Sequence, residues 1–369
     1  MDTNTIKICD INDIPRLKND LGYRRILIVK PSSLGDILHA FPAFYLLRKS
    51  LPEARIDWVV NSNFSMLLSY IRQDLSKIIN FRRNEFRETS HAPKALLELI
   101  GTLRTNRYDL IIDMQGLMRS SMMTFVARGT HKAGFANVKE KMSGIFYNIK
   151  VSVPETITHA IEKNCHLISS ILGIENVIPD FKLPQVGISD IRSKLAAYGI
   201  DKDDKYLAIS PSARWKTKTW PPEFFAKIID AVGSEFPNKK FILLGAKSEF
   251  EASEKVSSLC KIAKPINISG STSLNELGEI IRRAEAFITN DSGPMHIAAF
   301  LRVPVFAMFG PTFPDKTGPY WPWHKVYQAD KGCVRCLKRT CQRNDVQCQN
   351  NISAEPVIKD LIAKLNEIK

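Results

Sequence analysis

The sequence predicts an α/β protein made of two Rossmann-like, doubly wound parallel-sheet domains that face a central cleft. Apolar runs of strand length alternate with helical patterns along the chain, which is typical of a parallel sheet covered by helices. The alternation pauses at residues 173–186, which include Pro179 and Pro184, and then starts again. Because 369 residues suffice for two domains, each half is expected to fold around its own sheet.

The pause sets the predicted domain boundaries. Residues 1–22 are a polar N-terminal extension, 23–180 the first domain, 181–353 the second, and 354–369 a C-terminal helix. In the first half, strands are predicted at 25–29, 56–60, 77–81 and 109–113, with helices from Asp36 and at 93–103 and 157–172. In the second, strands are predicted at 206–210, 240–244, 266–268, 286–289 and 304–309, with helices at 223–235, 249–260, 273–283 and 294–301.

The charge balance narrows the class of partner. A formal net charge of +14 favours an anionic partner, such as nucleic acid, an acidic membrane surface or a phosphorylated substrate. The basic residues are dispersed and match no nucleic-acid motif, so an anionic substrate or membrane surface is favoured over nucleic acid. No apolar run approaches the roughly 18 residues of a membrane span, and the N-terminus has no signal pattern. We therefore expect a cytoplasmic protein whose membrane contact is peripheral, at the inner leaflet.

Four of the seven cysteines lie close together near the C-terminus: Cys333, Cys336, Cys341 and Cys348. Four thiolates can hold a structural zinc ion, but the later spacings match no familiar zinc finger or ribbon. A compact loop with free thiols is the favoured interpretation, and no metal is assigned to the chemistry.

The stretch from Thr289 to Ala299 reads as a strand, a tight loop and a helix that begins near Pro294. Free loop amides and the positive end of a helix dipole make such a turn suitable for an anion. Asp291 and Ser292 can bond a ligand, and Gly293 permits close backbone approach. His296, one turn into the helix, could reach a phosphate. An ordinary capped helix with a core histidine is the alternative.

A matching strand–loop–helix turn lies in the first half, at residues 26–42. It carries the hydroxyls of Ser32 and Ser33, the glycine Gly35 and the carboxylate of Asp36, but neither a dinucleotide fingerprint nor a P-loop. Such turns lie at the carboxyl edge of an open sheet, where ligands bind.

Three further segments carry candidate ligand groups. Arg214, Lys216 and Lys218 follow the strand 206–210 and suit a diphosphate, unless they form a solvated basic loop. Glu249 either accepts from a ribose hydroxyl or occupies a helical first turn. Gln115 and Arg119 follow the strand 109–113 and could hold an acidic acceptor, with a surface arginine as the alternative.

Taken in order, these motifs resemble the ADP-heptose:lipopolysaccharide heptosyltransferase family, glycosyltransferase family 9. They are KPSSLGDILHAFP (30–42), DMQGL (113–117), KTWP (218–221), NDSGPMH (290–296) and FGPT (309–312). The resemblance covers the chain from about Arg24 to the last helix. GIFYN (144–148) and HAIE (159–162) are most similar to the branch that adds the first heptose, heptosyltransferase I. The N-terminal extension and the four cysteines resemble other branches.

The resemblance implies a GT-B fold, an acceptor-binding first domain and a donor-binding second domain. It places the catalytic base on Asp36 and the nucleotide-sugar lysine on Lys218. It places Asp291, Ser292, Gly293 and His296 in the donor loop. The full set of predicted donor-binding residues is Ser210, Lys218, Glu249, Thr272, Asp291, Ser292, Gly293 and His296. The predicted acceptor-binding residues are Ser32, Ser33, Gly35, Gln115 and Arg119.

The hypothesis from the sequence is an inverting, metal-independent transfer of heptose from ADP-L-glycero-D-manno-heptose, with no cofactor. The acceptor is the Kdo, or the first heptose, of the inner core, carried on an anionic lipid such as Kdo-lipid A. Asp36 takes the proton of the attacking hydroxyl, and Lys218 stabilises the departing diphosphate. The alternatives are another GT-B nucleotide-sugar enzyme, such as a hexose transferase or epimerase, and a non-catalytic nucleotide-binding module.

Overall fold

The computed structural model describes residues 6–17, 21–82, 92–138, 140–186, 191–330, 333–343 and 345–368. The chain forms two compact units, Met1–Phe181 and Lys182–Lys369. Each unit contains a six-stranded sheet in which every strand pairs in parallel with its neighbours. The expected α/β class, with two Rossmann-like sheets, is confirmed.

The first unit is built around strands whose order in the sheet is 4-3-2-5-6-7. Its strands are β1 (Lys7–Cys9), β2 (Arg25–Val29), β3 (Arg55–Asn61), β4 (Lys77–Phe81), β5 (Arg107–Asp113), β6 (Arg128–Phe135), β7 (Ile149–Val151) and β8 (Val177–Pro179). Its α-helices are α1 (Leu34–Leu38), α2 (Phe41–Ser50), α3 (Ala92–Thr105), α4 (Met118–Val126) and α5 (Ala160–Leu172). Two 3₁₀ helices, η1 (Ser62–Asp74) and η2 (Lys141–Phe146), complete the described part of this unit.

The second unit repeats this arrangement, with strand order 11-10-9-12-13-14. Its strands are β9 (Tyr206–Ser210), β10 (Lys240–Leu243), β11 (Ile266–Asn267), β12 (Ala286–Asn290), β13 (Val305–Phe309) and β14 (Lys325–Gln328). Its α-helices are α6 (Ile191–Ala197), α7 (Pro222–Glu235), α8 (Phe250–Leu259), α9 (Leu274–Arg283), α10 (Gly293–Phe300), α11 (Pro314–Thr317), α12 (Gln347–Asn350) and α13 (Ala354–Ile368). Short 3₁₀ helices η3 (Lys216–Lys218) and η4 (Lys247–Glu249) lie in its loops.

The central strands are apolar on both faces because helices cover both sides of each sheet. Residues 26–29 of β2 and all of β9 and β12 are buried. These are the strands that the sequence predicts best, and β2, β4 and β9 have the predicted bounds. The missed strands β6, β7 and β14 lie toward the edges of the sheets and are partly exposed, so their sequences lack an apolar run.

The helix expected to run on from Asp36 is two helices. The α1 helix ends at Leu38, the chain turns, and α2 begins at Phe41 with Pro42 in its first turn. A proline ring inside a continuous helix would clash with the carbonyl four residues earlier, here that of Leu38, so the chain starts a new helix instead. The α2 helix then packs Phe41 and Phe44 edge-on against the ring of Trp58.

The segments predicted as an extension and a linker carry structure of their own. Strand β1, inside the predicted extension, pairs in parallel with β8, inside the predicted linker 173–186. Ile14 is also buried, and the amide of Leu17 donates to the carbonyl of Ser50. Strands of three residues are too short to show an alternating pattern, so no sequence pattern predicts this pair.

None of the helices in the described ranges has both the length and the apolar character needed to cross a lipid bilayer.

We expect Trp220→Ala to be strongly destabilising, because the indole fills the core of the second unit. Trp220 has no exposed surface, packs against Phe224 and Phe225, and donates from Nε1 to the carbonyl of Ile352 at 3.0 Å. The loss should be about 3–5 kcal/mol, measured by urea unfolding. Trp323→Ala is the matched control, since that indole is 37% exposed; equal losses for both variants would contradict this account.

Candidate functional site

The strand order creates one preferred ligand position in each unit. Between β2 and β5, and again between β9 and β12, the order of the sheet reverses, so the two following loops diverge. A crevice opens at such a switch point, outside the carboxyl ends of the strands. The predicted site residues of each unit lie mainly in the loops after these strands.

In the first unit, Asp36 is the third residue of the short helix α1, which follows β2 after a brief loop. Oδ2 of Asp36 accepts from the backbone N of Ser33 at 2.9 Å and from its Oγ at 2.8 Å. Asp36 is half-buried, whereas Ser33 is exposed. Half of a capping box therefore fixes the orientation of the carboxylate and commits one of its oxygens. Gly35 is buried beneath this turn, and Ser32 is half-buried.

Lys30 joins the two loops at this switch point. Its Nζ is buried and donates to the carbonyl of Met114, the residue after β5, at 2.6 Å. Burial lowers the pKa of Lys30, and the negative charges of Asp36 and Asp113 oppose that shift. The side chain of Lys30 therefore interacts electrostatically with both Asp36 and Asp113.

Asp113, the last residue of β5, organises the second loop. Oδ1 accepts from the amides of Gln115 and Gly116 at 2.8 and 3.0 Å, which folds the chain into a turn. Gly116 has φ +67°, a left-handed conformation that favours glycine. This turn lets α4 begin at Met118, so the backbone position of Gln115 depends on a buried carboxylate.

The other oxygen of Asp113 is held by two hydroxyls. Tyr147 donates to Oδ2 at 2.6 Å, Ser121 bonds it at 3.2 Å, and the two hydroxyls are 2.6 Å apart. Burial raises the pKa of Asp113, and these hydrogen bonds to the charged form oppose that rise. A Cβ at Gly134 would lie 2.5 Å from the ring of Tyr147, so the glycine makes room for the tyrosine.

The two predicted acceptor residues of this loop, Gln115 and Arg119, differ in burial and in their contacts. Oε1 of Gln115 is buried and has no hydrogen-bond partner among the described residues. Arg119 is exposed, and its guanidinium lies 5.9 Å from the centre of the Phe81 ring. Glu140 occupies the start of α4, accepting from the amide of Met118 at 2.5 Å. An anionic ligand at this loop would meet Arg119, because Glu140 already fills the helix N-terminus.

In the second unit, Lys218 and Asp291 form a close ion pair. Nζ of Lys218 lies 2.6 Å from Oδ2 of Asp291, and the side chains are 17% and 6% exposed. Thr312 also donates to this oxygen, at 2.6 Å, and the ammonium lies 4.7 Å from the ring centre of Trp215. The lysine is thus held at the loop after β12 by a carboxylate and an aromatic face.

The residues beside Asp291 build the loop that leads into α10. Asn290 is buried, accepts from the amide of Trp220 at 3.0 Å, and donates to the carbonyl of Pro211 at 2.7 Å. It therefore ties the loop after β12 to the loop after β9. Ser292 caps α10 without a side-chain cap bond, because its Oγ lies 3.0 Å from that of Thr289. Gly293 begins the helix, and His296 is buried within it.

The remaining donor candidates are more scattered. Ser210 ends β9 and is buried, in register with Thr289 of β12. Glu249 closes a helical turn, accepting from the amide of Ala246 at 2.7 Å, as the structural alternative in the sequence predicted. Thr272 lies just before α9 and is half-buried. Arg214 and Lys216 are both exposed.

The C-terminal cysteines are free thiols. Burial, and then the neighbouring Cys333, Cys336 and Cys341, raises the pKa of Cys348 to about 11. Across the described ranges, no three or more His, Cys, Asp or Glu side chains are arranged to hold a metal ion.

Sequence reasoning assigned no role to Lys30, Tyr147, Thr312 or Trp215. Three of these residues follow strands and lie inside the quoted motifs or next to candidate residues: Lys30, Thr312 and Trp215. Their positions after strands could have marked them as ligand-site residues. Tyr147 also lies inside a quoted motif, GIFYN (144–148), but it does not follow a strand, and it reaches Asp113 from 34 residues away.

Comparison with known proteins supports one family. The model of glycosyltransferase family 9 (heptosyltransferase) matches residues 96–347. Lipopolysaccharide heptosyltransferase 1 of Pseudomonas aeruginosa is 26% identical over 332 residues, which cover 86% of this chain and 87% of that protein.

Solved structures of two E. coli proteins share the fold. The heptosyltransferase WaaC with ADP superposes with a TM-score of 0.72 at 24% identity, covering 92% of this chain and 99% of WaaC. The ADP-heptose lps heptosyltransferase II superposes with a TM-score of 0.73 at 23% identity, covering 93% and 99%. The fold class predicted from the sequence is that of these heptosyltransferase structures.

We expect Tyr147→Phe to destabilise the first unit by about 1–3 kcal/mol, because a buried carboxylate loses a hydrogen-bond donor. Tyr45→Phe is a matched control, since its hydroxyl bonds the half-buried Asp74 at 3.0 Å. Urea unfolding of both variants measures the difference. A larger loss for Tyr45→Phe would show that Asp113 does not depend on the tyrosine.

Proposed function

The chain belongs to glycosyltransferase family 9, the heptosyltransferases, and we propose that it transfers heptose from an ADP-heptose donor to the inner core of lipopolysaccharide. Membership of this family makes the protein a glycosyltransferase. The proposal concerns the substrates and the residues that act on them. Both structural relatives described above are heptosyltransferases, one of them bound to ADP.

The observation that carries the donor assignment is the Lys218–Asp291 pair at the switch point of the second unit. Lys218 is a cation held in a largely buried position, beside the first turn of α10. A diphosphate there would receive the lysine charge, the loop amides at Ser292 and Gly293, and the helix dipole together. Asp291 and Thr312 keep the ammonium in place before the donor binds. We assign the donor diphosphate to this cluster, with Ser210, Glu249, Thr272 and His296 as further donor-binding residues.

Asp36 suits the role of catalytic base in the first unit. Because Ser33 holds Oδ2, the other oxygen, Oδ1, is assigned to the acceptor hydroxyl. Oδ1 takes the proton while the acceptor oxygen forms a bond to the anomeric carbon, and the bond from that carbon to the diphosphate breaks. Inversion at the anomeric carbon follows from this direct displacement. Positioned base catalysis contributes typically ~10²–10⁴-fold.

The acceptor is proposed to bind at the β2–α1 and β5–α4 loops. Ser32, Gly35, Gln115 and Arg119 surround this switch point, and Arg119 is an exposed cation that suits an acidic sugar. The two candidate acceptor sugars are the Kdo and the first heptose of the inner core. A lipid-linked acceptor would place the enzyme at the cytoplasmic face of the inner membrane, as a peripheral protein.

The identity of the acceptor is tested directly by transfer from ADP-heptose to Kdo-lipid A and to heptosylated Kdo-lipid A, in parallel and without added metal. Product on the first acceptor supports a first-heptose enzyme. Product on the second acceptor alone would show that the enzyme adds the next heptose, after the first has been attached. Failure with both, when other nucleotide sugars support transfer, would reject ADP-heptose as the donor.

We expect Asp36→Asn to lower kcat by about 10²–10⁴-fold, because the amide cannot take the proton. The affinity for ADP should be unchanged, since the donor cluster lies in the other unit. Glu276→Gln is the control: Glu276 makes the same type of capping bond, to the amide of Ser273 at 2.7 Å. Rates within a few-fold of the native enzyme for Asp36→Asn would remove it from the base role.

We expect Lys218→Ala to lower kcat/KM for the donor by about 10²–10³-fold, as for loss of one transition-state donor. Lys216→Ala is the neighbouring control, because Lys216 is exposed. If saturating donor restores full kcat, then Lys218 supplies only uniform binding and does not stabilise the leaving group.

A further inference from the structure

The first unit presents an apolar surface outside the proposed catalytic loops. Fourteen large apolar side chains are exposed among the described residues, and six of these lie on three packed helices, α3, α4 and η2. They are Leu96 (46% exposed), Leu97 (69%), Met122 (55%), Phe125 (59%), Met142 (64%) and Ile145 (63%). Contiguous exposed apolar surface on a soluble fold marks an interaction site.

On α4 and on η2, the helical period places the exposed apolar side chains on one face of each helix. Met122 and Phe125 are three residues apart on α4, and Met142 and Ile145 are three apart on η2, where three residues make one turn. The rings of Phe125 and Phe146 lie 5.0 Å apart, which joins α4 to η2. Met122, Phe125, Met142 and Ile145 therefore lie on two joined elements, and Leu96 and Leu97 lie on α3, which packs against α4. These six side chains are named the α3–α4–η2 surface below.

Cations accompany the α3–α4–η2 surface. Nζ of Lys132 lies 5.5 Å from the centre of the Phe125 ring and donates to the carbonyl of the same residue at 2.7 Å. Arg104 is exposed, and on α3 it lies seven residues after Leu97, on the same helix face. Residues 92–150 contain nine Lys and Arg against four Asp and Glu, one of which, Asp113, is fully buried.

The surface is continuous with the loop assigned to the acceptor. Ser143 of η2 donates to the carbonyl of Gly116 at 3.5 Å, and Glu140, just before η2, bonds the amide of Met118. Arg119 lies one turn before Met122 on α4. A molecule that contacts the apolar side chains is therefore next to Gln115 and Arg119.

We propose that the α3–α4–η2 surface docks the enzyme on an anionic lipid bilayer and so presents membrane-embedded acceptors to the β5–α4 loop. This inference rests on the proposed function for its purpose, but the docking itself does not require it. Apolar side chains enter the interfacial region of a bilayer, while neighbouring Lys and Arg are attracted by acidic headgroups. The combination of exposed apolar groups with surrounding cations favours an anionic bilayer over a protein partner.

The test is co-sedimentation of the full chain with vesicles of phosphatidylcholine alone and with about one third phosphatidylglycerol. We expect binding to the anionic vesicles that weakens between 0.1 and 0.5 M salt, because screening shortens electrostatic attraction. Met122→Ser/Ile145→Ser should raise the half-saturating lipid concentration by about tenfold or more. Ile262→Ser is the matched control, since Ile262 and Ile145 are both 63% exposed. Urea unfolding verifies that each variant is folded.

Several outcomes would overturn the docking surface. One is equal binding by the native protein and the double variant. Another is equal losses for the double variant and Ile262→Ser, and a third is full binding to neutral vesicles. A dimer in sedimentation velocity that the double variant disrupts, with vesicle binding unchanged, would assign the surface to a second copy of the chain.

Transfer assays separate this inference from the proposed function. With a delipidated acceptor the double variant should match the native enzyme, whereas with vesicle-embedded acceptor its rate should fall about tenfold in parallel with binding. Absence of transfer by the native enzyme to any acceptor would reject the proposed function alone, since sedimentation still decides the docking surface.

Discussion

The reversal of strand order within each parallel sheet is the constraint on which the candidate sites depend. All strands of a sheet point the same way, so every loop after a strand reaches the same edge. Only between β2 and β5, and between β9 and β12, do the following loops diverge and leave room for a ligand. Asp36 and the Gln115 loop flank the first of these positions. Lys218 and Asp291 flank the second.

The two switch points are stabilised by different electrostatic means. In the first unit, two hydroxyls and two amides donate to the oxygens of the buried Asp113. Those bonds fix the β5–α4 loop and attach β7 and η2 to it through Tyr147. In the second unit, Asp291 is paired directly with Lys218. A carboxylate held by hydrogen bonds suits the fixed loop of the proposed acceptor site, whereas an ion pair would let Lys218 exchange Asp291 for the diphosphate of the proposed donor.

The hydrogen bond between Tyr147 and Asp113 also connects the proposed acceptor loop to the α3–α4–η2 surface. Tyr147 follows η2 directly, so the bond that orders the Gln115 loop also places Met142 and Ile145 beside α4. The apolar surface and the acceptor loop are therefore parts of one packed region. A docked bilayer and a bound acceptor sugar would contact neighbouring turns of the same helix, with Met122 and Arg119 on consecutive turns.

The sequence by itself determined the two-sheet fold class, the central strands and the loops that carry Asp36, Lys218 and Asp291. Buried strands such as β2 and β9 have continuous apolar sequences. Small polar residues after them indicate the edge of the sheet where a ligand can bind. Strands β6, β7 and β14, which lie at or next to a sheet edge, were decided only by tertiary pairing, because partial exposure removes the apolar signal. The pairing of β1 with β8 and the contact of Tyr147 with Asp113 join residues 170 and 34 positions apart. Ser33 holds Asp36 from only three residues away, within a local capping pattern. Asp291, which holds Lys218, is brought to it by packing across the fold, where local sequence patterns carry no information.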